Sequence, residues 1–119
     1  MKMKDLSIHE IFEKIEQALN EDSKPIEGMN AVYQYDLTGE EEVTYQLQLS
    51  NGQAKVEKGS PAEADCVLQM KIEDFKELLL GNLSGTAAFM SGKLKIKGNI
   101  GAAMKMENLL RQYDVSKYV

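Results

Sequence analysis

His9 is the only histidine and Cys66 the only cysteine among the 119 residues of this chain. These two residue types carry much of the nucleophilic and zinc chemistry available at neutral pH. A Ser-His-Asp triad would have to use His9, and so would any zinc site that includes histidine. Yet Ser7-Ile8-His9-Glu10 reads as a capping box at the start of a helix. His9 then falls in the first turn of a surface helix, far in sequence from a candidate nucleophile, and is expected to face solvent. Cys66, standing alone, can form no internal disulfide, which suits a reducing compartment. No motif sets paired carboxylates at one site. The residues therefore point away from an enzyme, and no metal or cofactor is expected.

The stretch 89–106, FMSGKLKIKGNIGAAMKM, is the other place where spacing suggests chemistry. A dinucleotide fingerprint needs G-x-G-x-x-G between a strand and a helix. Gly98 and Gly101 supply its second and third glycines, but Ile96 stands where the first belongs. Gly92-Lys93 does not continue as a phosphate loop, because Leu94 replaces the Ser or Thr. Lys93, Lys95 and Lys97 alternate with Leu94 and Ile96, so the lysines read as the solvated face of an outer strand, where they also discourage edge pairing. Gly98 and Gly101 flank a strand-to-helix reversal and would let the helix backbone approach the sheet. The helix that follows carries Ala102, Ala103, Met104, Met106, Leu109 and Leu110 on its inner side. Such a face suits either a core or the wall of an adaptable cavity, since methionine adjusts to varied shapes.

These residues must be positioned by the elements around them. Ile8, Ile11, Phe12, Ile15, Ala18 and Leu19 fall on one helical face, with Glu10, Glu13, Lys14 and Gln17 opposite. Pro25 and Gly28 break the helix. The pattern then turns to period two. Ala31, Tyr33, Tyr35 and Leu37 form one apolar row, and Val43, Tyr45, Leu47 and Leu49 form a second. Asn51-Gly52 is a strong hairpin signal, followed by Ala54 and Val56. Residues 31–58 thus read as an antiparallel meander with one dry face and one wet face. A fourth strand is expected over 64–70, a short helix over 72–80 ended by Gly81, helical turns over 84–90, a fifth strand from Lys93, and a closing helix over 100–111 capped by Asn99. The fold class is α+β, in one domain spanning 1–119.

The net charge is −5 but uneven: residues 1–88 carry −9 and residues 89–119 carry +4. An acidic body disfavours nucleic acid, which draws on clustered Lys and Arg. The basic end leaves room for a local anionic partner. No run approaches the roughly 18 apolar residues of a membrane span. The start, MKMKDLSIHEIF, does not read as a secretory signal, and the last residues, SKYV, match no targeting tail.

FMSGKLKIKGNIGAAMK resembles the C-terminal signature of the sterol carrier protein 2 family: S-G-K-L-K-I-K-G, then N-x-G-x-A-M-K. Ala64-Asp65-Cys66-Val67-Leu68, the helix carrying Asp74-Phe75, and Gly81-Asn82-Leu83 resemble the segment upstream of it. The order of elements matches from about residue 8 to 111, with 64–106 the specific part. This sequence departs from the pattern in three ways. Lys71 stands where a polar residue often precedes the 72–80 helix, Ser84-Gly85 replaces a common proline, and no peroxisomal tripeptide ends the chain. A free-standing bacterial, cytoplasmic version is therefore expected.

The resemblance implies a five-stranded, mostly antiparallel sheet covered on one face by helices, with an apolar tunnel between them. It implies binding or transfer of a fatty acid, acyl-CoA, sterol or isoprenoid without chemistry, and transient contact with an anionic membrane. The implied lining is Phe75, Leu78, Leu79, Phe89, Met90, Ile100, Ala103 and Met104, from three C-terminal helical segments. The alternative is an accessory interaction domain that presents a lipidic intermediate to a partner enzyme.

Overall fold

The computed structural model describes residues 5–111, with the side chain of Arg111 set aside. The chain ends on which the targeting expectations rest, and the ends of the 1–119 domain, lie outside the described residues.

Helix α1, Ile8–Glu21, begins where the sequence indicates. The Glu10 N–H donates to the Ser7 hydroxyl at 3.2 Å, and that hydroxyl reaches the Glu10 carboxylate at 3.3 Å. The reciprocal bond thus runs between side chains, a variant of the usual box. All six residues of the apolar stripe are buried. A single 3₁₀ turn, Lys24–Ile26, follows with Pro25 inside it.

The strands are β1 Ala31–Thr38, β2 Val43–Ser50, β3 Gln53–Lys58, β4 Cys66–Lys71 and β5 Lys95–Gly98. They form one sheet in the order β3-β2-β1-β4-β5. Three of the four pairings are antiparallel, and β1 with β4 is parallel. Asn51 and Gly52 both take positive φ, 53° and 72°, as a two-residue type I′ hairpin requires.

The period-two rows decide the faces. Tyr33, Tyr35, Leu37, Val43, Tyr45, Leu47, Leu49, Cys66, Leu68 and Met70 are buried. Against them lie α1, α2 (Ile72–Leu80), α3 (Gly85–Met90) and α4 (Ile100–Arg111). Aromatic rings join the layers. Phe12 stacks on Tyr45 at 4.4 Å and on Phe75 at 5.3 Å, and Phe75 meets Tyr35 at 5.3 Å between centroids. The other face is polar and carries its own network. Gln46 is fully buried there: it donates to Gln34 and to the Ala62 carbonyl, and accepts from the Ala62 N–H. Asp36 accepts from Gln34, Thr44 and Gln69 on the same face.

Edge strand β3 is covered by α1 side chains. Asn20 accepts from the Ala54 N–H and donates to the Ala54 carbonyl, both at 2.8 Å, and Glu16 accepts from the Val56 N–H at 2.7 Å. These bonds satisfy backbone groups that would otherwise invite another strand.

Two strand boundaries differ from expectation. The fourth strand starts at Cys66 because Asp65 is spent on a cap: its carboxylate accepts from the Val32 N–H at 2.8 Å, and its own N–H donates to the Val32 carbonyl at 2.9 Å. The fifth starts at Lys95 because the Leu94 N–H donates back to the Ala88 carbonyl at 3.0 Å. Leu94 is buried as foreseen, but it belongs to the turn that closes α3, and Lys93 lies in that turn as well.

Candidate functional site: an apolar cavity under α2 and α4

The sheet's inner face and two helices line a small, partly open cavity of about 30 Å³. Tyr35, Leu68 and Met70 form its floor. Phe75, Leu78 and Leu79 come from α2, Glu107 and Leu110 from α4, and Leu94 from the turn before β5. The positions follow from local rules. β1 and β4 are parallel neighbours with Tyr35 opposite Leu68 and Leu37 opposite Met70, so alternate residues of both strands share the floor. Phe75, Leu78 and Leu79 stand three and four apart on one side of a helix. Pockets that hold drug-sized ligands measure roughly 300–1,000 Å³, at least about ten times this volume. A long chain would have to part α2 from α4.

The eight residues implied by the resemblance separate into groups. Phe75, Leu78 and Leu79 line the cavity. Ala103 is fully buried, and Phe89 and Met104 are half-buried against the same core, but none of these three borders the cavity. Met90 is 79% exposed and Ile100 47% exposed, so both point away from it. Met90 is the last residue of a six-residue helix, and Ile100 opens α4 beyond the end of β5. The buried stripe of α4 is Ala103, Met106 and Leu109.

Sequence reasoning missed Tyr35, Leu68, Met70, Leu94, Glu107 and Leu110 as lining. The period-two rows could have supplied the first three. Glu107 had no signal, being a carboxylate among apolar neighbours. Its Oε1 accepts from the Gly85 N–H at 3.2 Å.

Tyr33, Tyr35 and Cys66 near the core hold their protons more tightly than usual. Burial pushes the Tyr35 phenol far above its ordinary value, with smaller contributions from Cys66 and Tyr33. Burial also raises Tyr33, and it raises the Cys66 thiol, helped by the negative charge of Asp65. A raised thiol is a weak nucleophile. His9 differs from expectation. It sits in the first turn of α1, but its Nδ1 shares a hydrogen bond with the Tyr45 hydroxyl, and its Nε2 lies 3.7 Å from Glu41. Its ring is half-exposed and bridges α1 to β2. Among the described residues, no group of three or more His, Cys, Asp or Glu could hold a metal ion.

A larger, open groove of about 460 Å³ runs between the start of α1, the β1–β2 turn and α2. Glu40, Glu41, Glu73 and Glu77 line it with Lys71 and Lys76, beside apolar surface from Leu6, Ile8 and Ile72, so it is an open groove of mixed character.

Of the two glycines that flank the reversal into α4, one makes a close approach. Gly98 has φ +93°, and a Cβ there would come within 2.6 Å of the Asp65 carbonyl oxygen. A Cβ on Gly101 would meet only the Asn99 side chain, at 3.3 Å. Asn99 is occupied in capping α4, accepting from the Ala102 N–H at 3.0 Å.

A mixed sheet covered on one face, with a small apolar cavity where helices meet it, defines an α+β domain. The family model for the SCP-2 sterol transfer family matches residues 12–111, and the chain belongs to that family. Hydroxysteroid dehydrogenase-like protein 2 of Xenopus laevis is 42% identical over 113 residues, covering 93% of this chain and 27% of the relative. Human sterol carrier protein 2 is 39% identical over 106 residues, covering 86% of this chain and 19% of the relative. The chain therefore spans well under two thirds of the length of these curated relatives. Among solved structures, sterol carrier protein 2 from Yarrowia lipolytica in its apo form superposes with a TM-score of 0.74 at 31% identity, over 85% of this chain and 87% of that one.

Proposed function

We propose that this protein binds and transfers a long-chain lipid, without catalysis, in the space between α2, α4 and the sheet. The observation that carries this reading is the cavity itself: every lining residue but Glu107 is apolar or aromatic, and the walls come from two separate helices. Burying a chain there would contribute about 0.8 kcal/mol per CH₂, set against the cost of parting the helices. Membership of a sterol transfer family supports the same reading. Fatty acids, acyl-CoA, sterols and isoprenoids all meet the chemical requirement. The lining we propose is Phe75, Leu78 and Leu79 together with Tyr35, Leu68, Met70, Leu94 and Leu110. Phe89, Ala103 and Met104 would join it only once α4 moves. No helix among the described residues is long and apolar enough to cross a membrane. A cytoplasmic setting is supported by the single, buried, free Cys66.

A second reading has its own support. The matched part of the Xenopus relative is 27% of a protein named for a dehydrogenase. A domain of this kind could hand a lipidic substrate to a partner enzyme. Displacement of a fluorescent fatty acid by each of the four lipid classes tests the first reading. Micromolar or tighter binding with competition by at least one class is the expected result. No binding by any class would favour the accessory reading, which co-purification with an enzyme would then support.

A further inference from the structure

We infer that Glu107 and Gly85 form a latch that holds α4 down, and that lipid entry requires this latch to open. The inference rests on the lipid-binding reading. Two observations carry it. The Gly85 N–H, at the first residue of α3, donates to Glu107 Oε1 at 3.2 Å. The Glu107 stem also occupies the space where a side chain at residue 85 would be: a Cβ there would stand 2.7 Å from its Cγ and 3.0 Å from its Cδ. Gly85 is buried and shows no positive φ, so its backbone does not call for glycine. What requires glycine is the close approach of Glu107.

The position of this contact gives it a role. Glu107 and Leu110 are the α4 contribution to the cavity wall, and Phe75, Leu78 and Leu79 are the α2 contribution. At about 30 Å³ the cavity must widen about tenfold or more before a chain fits. The sheet is joined by ladder bonds from β3 through to β5. The helices stand outside that ladder, and the Glu107–Gly85 bond fastens one of them to its neighbour. Glu107 is thus a positioning residue: it sets the fraction of molecules in which α4 has lifted.

The latch is tested with Gly85→Ala, Glu107→Ala and Glu107→Gln in the full chain. The alanine methyl at 85 would push the flexible Glu107 stem aside and break the bond. The glutamine carbonyl could still accept from Gly85. Two readouts are taken: amide hydrogen exchange without lipid, and stopped-flow uptake and release of a pyrene-labelled long-chain fatty acid. Both alanine variants should speed α4 exchange about tenfold, the weight of one net hydrogen bond, and leave β1 and β2 unchanged. Uptake and release should both quicken, and Glu107→Gln, which keeps an acceptor for the Gly85 N–H but loses the charge, should quicken them less than Glu107→Ala. Unchanged α4 exchange, or equal acceleration through the whole sheet, overturns the latch. Native uptake with rates unmoved in the variants also overturns it and leaves lipid binding standing. Faster α4 exchange with no uptake by any of the proteins overturns the gating role and sinks the lipid-binding reading with it.

Discussion

The rings of Phe12 and Phe75 stack with centroids 5.3 Å apart and an interplanar angle of 14°, fastening α1 to α2 over the sheet. Phe12 is fully buried, and its ring also stacks on Tyr45 and meets Tyr35 edge-on. It lies outside the cavity lining, while Phe75 lies within it. Phe12→Ala should therefore cost about 3–5 kcal/mol of stability, as large-to-small aromatic changes in cores do. Urea denaturation would measure it. A loss under about 1 kcal/mol would mean that the aromatic stack is not the joint between the helices.

Leu79 and Met90 make a paired test of the cavity. Leu79 is half-buried and lines it, and Met90 is 79% exposed and does not. Leu79→Trp should fill the space and weaken fatty acid binding at least about tenfold, with a stability change of about 1–3 kcal/mol from overpacking. Met90→Gln should leave both binding and stability within about 0.5 kcal/mol of the native protein. Competitive displacement and thermal melting read the two effects separately. Equal binding by both variants would remove Leu79 from the site.

Much of the architecture was legible because it is written in local periods. The α1 stripe from Ile8 to Leu19 and the alternation of Tyr33, Tyr35 and Leu37 each specify a buried face without knowledge of the partner. What the periods cannot carry is the identity of that partner. The parallel pairing of β1 with β4, the Asn20 bonds to Ala54, and the Glu107 contact with Gly85 join residues more than twenty positions apart. The exposed positions of Met90 and Ile100 have the same cause. Met90 and Ile100 sit at helix ends, where helical phase is least constrained, and the cavity floor comes from strands that the C-terminal signature does not include. His9 was read as solvated because its partner, Tyr45, is thirty-six residues away.

Alkaline pH should destabilise the fold in a defined order. Cys66, Tyr33 and Tyr35 all have folded values raised by burial. A raised group keeps its proton in the folded state after the unfolded chain has released it, so stability falls as pH rises. The fall should begin near the ordinary thiol value of 9.0, steepen near the phenol value of 10.0 and continue above it. For fully buried Tyr35 the slope approaches about 1.4 kcal/mol per pH unit. Below these values the three groups contribute no pH dependence. Urea midpoints from pH 7 to 11 would check this, and Cys66→Ala should delay the onset. A flat profile through pH 10 would contradict the burial of these groups.

Lys95 and Lys97 project from the face without helices, since Lys95 pairs with Gln69 and Lys97 with Val67 in the ladder, and Gln69 bonds Asp36 on that face. Both are exposed, as is Lys93 in the preceding turn. Near an anionic bilayer each lysine contributes about 1 kcal/mol, and the acidic remainder of the chain would be repelled. Transfer from vesicles should therefore be faster when they carry anionic lipid, salt should remove the gain, and a Lys93, Lys95, Lys97→Gln variant should never show it. Equal rates for the two proteins on anionic vesicles at low salt would leave the lysines with a solvating role alone.

The central claim is that the space between α2, α4 and the sheet takes up a lipid, and native mass spectrometry tests it most directly. The purified protein, and the same protein after incubation with a long-chain fatty acid, would be compared with Leu79→Trp. Lipid binding in the cavity predicts an added mass of one lipid on the native protein, lost on collisional activation and strongly reduced in the variant. A native protein that carries no lipid of any class after incubation, or a variant that carries it equally well, would contradict the claim.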